Sequence, residues 1–251
     1  MPWIALCDSD DLWSPNHLST IARLAELAPE VRYVFSNFTK FSQDVWASHT
    51  MFDELPANFW PIERRELFPG GWVLDQPLYP RIIFRHQPIF PSATAFTRDH
   101  INRVGGFDER LNRNPSEDLE FTLRSVQQAQ IGVLTEPSVG IRRHDGNFSS
   151  SAPRTLLASI SVLRLALGSH SIPEEWRRLL REQIVARSGG LVDAAFGRQE
   201  FALLRSQHLK PAELPVRHRI KIAIAGLPEP VARPMARVLL CLAEITRGSS
   251  A

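Results

Sequence analysis

The sequence predicts an α/β protein in which a sheet is built by the first 150 or so residues and helices make up the rest of the 251. Three observations support this. The chain opens on an apolar run, Trp3-Ile4-Ala5-Leu6-Cys7, that ends in a carboxylate-rich turn, Asp8-Ser9-Asp10-Asp11. Strand-like and helix-like segments then alternate as far as Ser150, the pattern of a layered α/β sheet. From Thr155 onward the apolar residues recur only at the three-to-four spacing of helices. Charge shifts at the same place. Residues 1–150 carry 14 Lys+Arg against 19 Asp+Glu (net −5), and residues 151–251 carry 15 against 8 (net +7). Two parts with different surroundings are expected, 1–150 and 151–251.

Five apolar residues in succession at the start fit a strand buried on both faces of a parallel sheet. Pro15 suits a first helical turn, and His17–Leu27 carries the helix. Arg32–Phe38 is rich in β-branched and aromatic residues and predicts a second core strand. Gln43–Pro91 reads as a long irregular segment, because Pro56, Pro61, Pro69, Pro77, Pro80 and Pro88 interrupt it. Its many aromatics argue for order nonetheless. Ala93–Phe96 predicts a short strand and Arg98–Val104 a short helix stopped by Gly105-Gly106. Ser116 can cap a helix over Glu117–Gln128. Gly132–Thr135 and Val139–Arg143 read as two more strands. The helical part contains Leu156–Leu167, Glu174–Arg187, Leu191–Ser206, Val216–Ala225 and Val231–Ile245, with a helix-turn-helix pair around Gly189-Gly190.

Composition narrows the class. No apolar run reaches the roughly 18 residues of a transmembrane helix, and no basic and apolar leader marks a signal peptide. A parallel strand needs neighbours, and none precede the opening strand, so the chain reads as shortened at its start. Cys7 and Cys241 lie in apolar runs and read as reduced core residues of a cytoplasmic protein. Nucleic acid is a poor partner, since the half that carries the motifs is acidic. Trp176–Arg187 and Ala232–Ile245 have Arg-rich polar faces that can lie along an anionic membrane. The ordinary alternative is a helical appendage with solvated charges.

The carboxylate turn stands where open α/β sheets place their ligands. Hard oxygen ligands on a tight turn suit a Mg²⁺ or Mn²⁺ ion that holds a diphosphate. Helix capping is the plainer alternative, but one cap needs one such residue, not four in succession. Glu117 and Asp118, taken alone, are charges favoured in a first helical turn. Arg142-Arg143-His144 is either a solvated basic turn or a phosphate grip beside an imidazole ligand.

Taken in order, Asp8-Ser9-Asp10-Asp11, Val104-Gly105-Gly106-Phe107-Asp108-Glu109, Ser116-Glu117-Asp118-Leu119-Glu120-Phe121 and Arg142-Arg143-His144 resemble the family 2 glycosyltransferases of the GT-A fold. The resemblance runs from about Trp3 to Ser150. It implies a GT-A-like, Rossmann-like mixed sheet, here lacking its first strands and the base-holding turn between them. It also implies transfer of a sugar from a nucleotide-diphosphate sugar to a sugar or lipid-linked acceptor hydroxyl, with inversion and metal assistance. By the same resemblance Asp8 approaches the donor's ribose, Asp10 and His144 hold Mn²⁺ or Mg²⁺, and Asp11 adds charge to the turn. Arg142 and Arg143 meet the phosphates, and Asp118 is the general base. Gly106, Phe107, Asp108 and Glu117 lie on the acceptor side. The Gln-x-x-Arg-Trp motif of processive synthases is absent, which points to a non-processive enzyme. Two alternatives stay open: a haloacid-dehalogenase-like phosphatase with Asp8 as nucleophile and Asp10 beside it, and a non-catalytic fragment or membrane adaptor.

Overall fold

The computed structural model describes residues 2–84, 87–111, 116–144, 152–206 and 209–248. Eight strands form one mixed sheet: β1 (Trp3–Ala5), β2 (Leu12–Trp13), β3 (Tyr33–Ser42), β4 (Val45–Thr50), β5 (Arg64–Phe68), β6 (Gly71–Leu74), β7 (Thr94–Thr97) and β8 (Ile131–Arg142). Their order is β1-β7-β3-β8-β6-β5, with β2 beside β8 and β4 beside β3. Among the described strands only the central pair, β3 and β8, runs parallel; the other pairs are antiparallel.

Side-chain alternation along β3 explains why the sheet is covered on both faces. Val34 packs on one side with Ile21 and Leu24 of α1 (His17–Leu27). Tyr33 and Phe35 point to the other side, into a core shared with α2 (Tyr79–Ile83), α4 (Glu117–Ser125), α5 (Ala152–Ser169) and α6 (Glu174–Gly197). Ile160, Val162, Leu163, Leu180 and Ile184 of α5 and α6 belong to this core. A second core joins the end of α6 to α7 (Phe201–Ser206), α8 (Val216–Ala225) and α9 (Glu229–Gly248), around Phe196, Phe201, Leu214 and Ile224. The division expected at residue 150 falls outside the described residues.

Five expectations are corrected. The opening strand is not central: β1 pairs antiparallel with β7 at the sheet's edge and is half-buried. Its residues are all apolar because Ile4 and Trp3 pack into opposite layers, a requirement that an edge strand meets as readily as a central one. The Gln43–Pro91 segment is not one loop. It holds β4, the β5–β6 hairpin and α2, with most of its prolines in the connections. The two strands expected over 132–143 are halves of β8, separated by an irregularity opposite Ser36–Phe38 that sets Leu134 against Ser36 and Val139 against Phe38. Gly189-Gly190 is no turn, because α6 runs through it as one helix. A side chain at Gly189 would meet His218 at 2.8 Å, so the glycine admits the buried imidazole of α8. Finally, both cysteines are exposed: Cys7 follows the edge strand and Cys241 lies on an outer face of α9.

Candidate functional site

The acidic turn sits between β1 and β2, and the strand ends around it hold its shape. Asp11 N–H donates to Asp8 O at 3.2 Å, closing the turn. Ser92, fully buried just before β7, is the joint beneath it. Its hydroxyl accepts from Asp8 N–H at 2.8 Å and donates to Asp11 Oδ2 at 2.6 Å. Its carbonyl accepts from Trp13 Nε1 at 2.7 Å. The irregularity in β8 presents Ser138 to the start of α1, where its carbonyl accepts from Ser14 N–H at 2.9 Å and its hydroxyl meets His17 Nδ1 at 2.8 Å.

The end of β8 then meets the turn. Arg142 N–H donates to Asp11 Oδ1 at 2.8 Å, and Arg142 Nε donates to Asp10 O at 3.0 Å. Both oxygens of Asp11 therefore hold the turn together, where the sequence suggested charge offered to a ligand. The Arg142 guanidinium lies 4.5 Å from the Phe41 ring centroid and that of Arg143 lies 6.0 Å from Phe90. His144 Nε2 stands 3.4 Å from Asp10 Oδ2, with both side chains about half exposed. Two ligands on one ion, each at roughly 2 to 2.2 Å, have about this separation. The oxygen-plus-imidazole set suits Mn²⁺. Among the described residues no group of three or more His, Cys, Asp or Glu side chains converges on a point. The pair by itself offers an ion two ligands.

The second group of candidate residues lies at the head of α4. Ser116 precedes it but makes no capping hydrogen bond with its side chain. Glu117 is exposed and Asp118 is half-buried, its Oδ1 accepting from Leu119 N–H at 2.7 Å. Burial, together with the charges of Glu117 and Asp8, pushes the Asp118 carboxyl up to about 7. Asp8 is also raised, first by burial, then by Asp11, Asp10 and Glu117. The charges at the turn and at the head of α4 thus raise one another's carboxyls, although 110 positions separate Asp8 from Asp118.

The loop before α4 is fastened by a residue that sequence reasoning missed. Arg124 of α4 donates to the carbonyls of Val104, Gly105 (3.0 Å) and Gly106 (2.8 Å), and forks onto Glu120 at 2.5 and 2.7 Å. All five guanidinium donors are used. Gly105 turns the chain at φ 80°, after α3 (Arg98–Val104). Glu120 also meets His170 Nε2 at 3.1 Å, which ties the end of α5 to the same network. The only sequence signal for this clamp was the Glu120–Arg124 spacing of four. Phe107 stacks on Phe121 at 4.7 Å while 40% exposed. Asp108 faces Arg110 in a two-pronged pair, which holds its carboxyl down at about 2. Nothing described brings Asp108 to the acidic turn. A separate cleft of about 440 Å³, lined by Arg32, His100, Arg103 and Gln130, lies away from these carboxylates.

A mixed sheet with one central parallel pair, covered by helices, is the architecture of the GT-A fold. The fold is shared with S. aureus TarS at a TM-score of 0.51 and 13% identity. The match covers 89% of this chain and 37% of the TarS chain, so this protein spans little more than a third of that length. A structure of TarS residues 1–349 in complex with UDP-GlcNAc aligns over 86% of this chain and 58% of the other, at 14% identity and a TM-score of 0.48. No protein-family model and no curated protein matches the sequence. The phosphatase alternative is set aside by the fold, which places Asp8 after an antiparallel edge strand.

Proposed function

We propose that the chain transfers a sugar from a nucleotide-diphosphate sugar to an acceptor hydroxyl, with inversion and one sugar at a time. The observation that carries this reading is Asp118, a half-buried carboxyl at the head of α4 raised to about 7 by burial and by the charges of Glu117 and Asp8. A base poised near neutral pH is what removal of a hydroxyl proton requires. In the proposed step the acceptor oxygen attacks the anomeric carbon from the face opposite the diphosphate, and Asp118 takes its proton. The bond from the anomeric carbon to the diphosphate oxygen breaks, and its electrons leave with the diphosphate. One displacement inverts the configuration.

On this reading Asp8 meets the donor's ribose and Arg142 and Arg143 meet its phosphates, while Phe107 and Glu117 border the acceptor. Asp10 and His144 would hold Mn²⁺ or Mg²⁺, which when bound neutralises charge on the departing diphosphate. The Asp11–Ser92–Arg142 chain fixes the turn, so that these groups are positioned before the substrate arrives. The proposed setting is cytoplasmic, with a sugar or lipid-linked acceptor, as in polysaccharide biosynthesis.

The test is thermal unfolding with Mn²⁺ and a panel of UDP- and GDP-sugars, because a ligand that binds only the folded chain raises its melting point. At least one donor should stabilise the wild type by several degrees only when Mn²⁺ is present. Asp10→Ala should lose the shift, and Asp118→Asn should keep it. A panel that shifts nothing favours the non-catalytic alternative.

A further inference from the structure

We propose that α8 and α9 form a docking surface for an anionic lipid bilayer, a proposal that does not depend on the catalytic reading. Each helix carries more apolar surface than the core uses. On α8, Val216 and Ile220 are 64% and 47% exposed, and Ala223 is exposed on the same stripe. On α9, Val231, Met235 and Val238 are 48%, 45% and 60% exposed. Within each set the spacing is four, then three, so each forms a single stripe along its helix. The opposite sides of the helices are already occupied: Ile224, Ala232 and Ala236 are buried in the second core. The outward stripes are therefore surplus to folding, and an exposed apolar face of this kind marks an interaction surface.

Charge selects the occupant. Residues 216–242 contain Arg217, Arg219, Lys221, Arg233 and Arg237 against one carboxylate, Glu229. Those four arginines are exposed beside the stripes. A second copy of the chain seated here would bring like charges together, whereas anionic headgroups would neutralise them while the stripes enter the acyl boundary. The net −5 of residues 1–150 would turn the sheet away from such a surface. No described helix is long and apolar enough to cross a membrane, so the contact is peripheral. In the other candidate, Trp176–Arg187, Trp176 stacks on Tyr79 at 4.9 Å and Arg187 Nη2 donates to Ile83 O at 3.0 Å, so the proposal is placed on α8 and α9.

Cosedimentation with phosphatidylglycerol–phosphatidylcholine vesicles, against pure phosphatidylcholine, tests the proposal. The protein should bind the anionic vesicles and be released by salt. Met235→Asp with Val238→Asp should weaken binding about tenfold or more, and Arg233→Gln and Arg237→Gln about fivefold each. Leu27→Asp, at an exposed apolar site on α1, should bind like wild type. All four positions on α9 are exposed, so unchanged circular dichroism and melting are expected to show that the variants fold. Equal binding to neutral vesicles, or binding undiminished in the Met235/Val238 variant, overturns the proposal. So does a dimer in sedimentation equilibrium that this variant dissolves, since the occupant is then a second copy.

Discussion

Replacing Asp118 by Asn separates two consequences of its half-buried carboxyl. The group moves from an ordinary 3.8 to about 7 in the folded chain, chiefly through burial. A carboxyl raised in this way favours the folded state at pH values below 3.8, and that contribution is lost as pH rises through about 7. Above that pH the folded chain carries a buried charge whose full cost is up to about 4 kcal/mol. Between pH 5 and pH 8 the wild type should therefore lose about 2 to 3 kcal/mol more stability than Asp118→Asn, which has no charge to bury. Asp8 is also raised but is present in both chains, so the comparison isolates Asp118. Urea unfolding at the two pH values, followed by tryptophan fluorescence, measures the difference. The variant should be the more stable protein at pH 8 and inactive in transfer. Parallel losses in the two chains would refute the reasoning, because they would mean that Asp118 is not a raised, buried carboxyl.

Two further perturbations probe the scaffold of the site. Ser92→Ala removes both the acceptor for Asp8 N–H and the donor to Asp11, so it should cost about 1 to 3 kcal/mol in urea unfolding, measured at pH 7. Arg124→Lys keeps the charge but loses the fork, leaving buried Glu120 with His170 as its remaining close partner. A loss of about 3 kcal/mol is expected, with faster hydrogen exchange at Gly105–Phe107; unchanged exchange there would show that the clamp does not hold the loop.

The elements legible in the sequence were those whose apolar period matched their burial. α1, α3, α8 and β3 carry clear patterns, and the structure places them within a few residues of expectation. β4 was illegible because it is mostly exposed, with apolar Val45 and Trp46 among the exposed residues, and β5 because most of its residues are exposed and polar, so neither shows the alternation of a half-buried strand. Gly189-Gly190 misled because its cause is long-range: His218 fills the space that a side chain would need. In the sequence, only the family resemblance relates the acidic turn to Asp118. Ser92 gave no local sign, since its bonds reach 84 and 81 positions back along the chain, to Asp8 and Asp11. Arg124 was likewise hidden, because its clamp spans about twenty positions to backbone carbonyls that no side-chain pattern reports.

The central claim is inverting transfer with Asp118 as base, and proton NMR of the first product formed from an α-linked nucleotide-diphosphate sugar tests it most directly. Read at early times, with water or a sugar as acceptor, the anomeric coupling should report a β-configured product from the wild type and no product from Asp118→Asn. An α-configured product, or undiminished turnover by Asp118→Asn, would contradict the account.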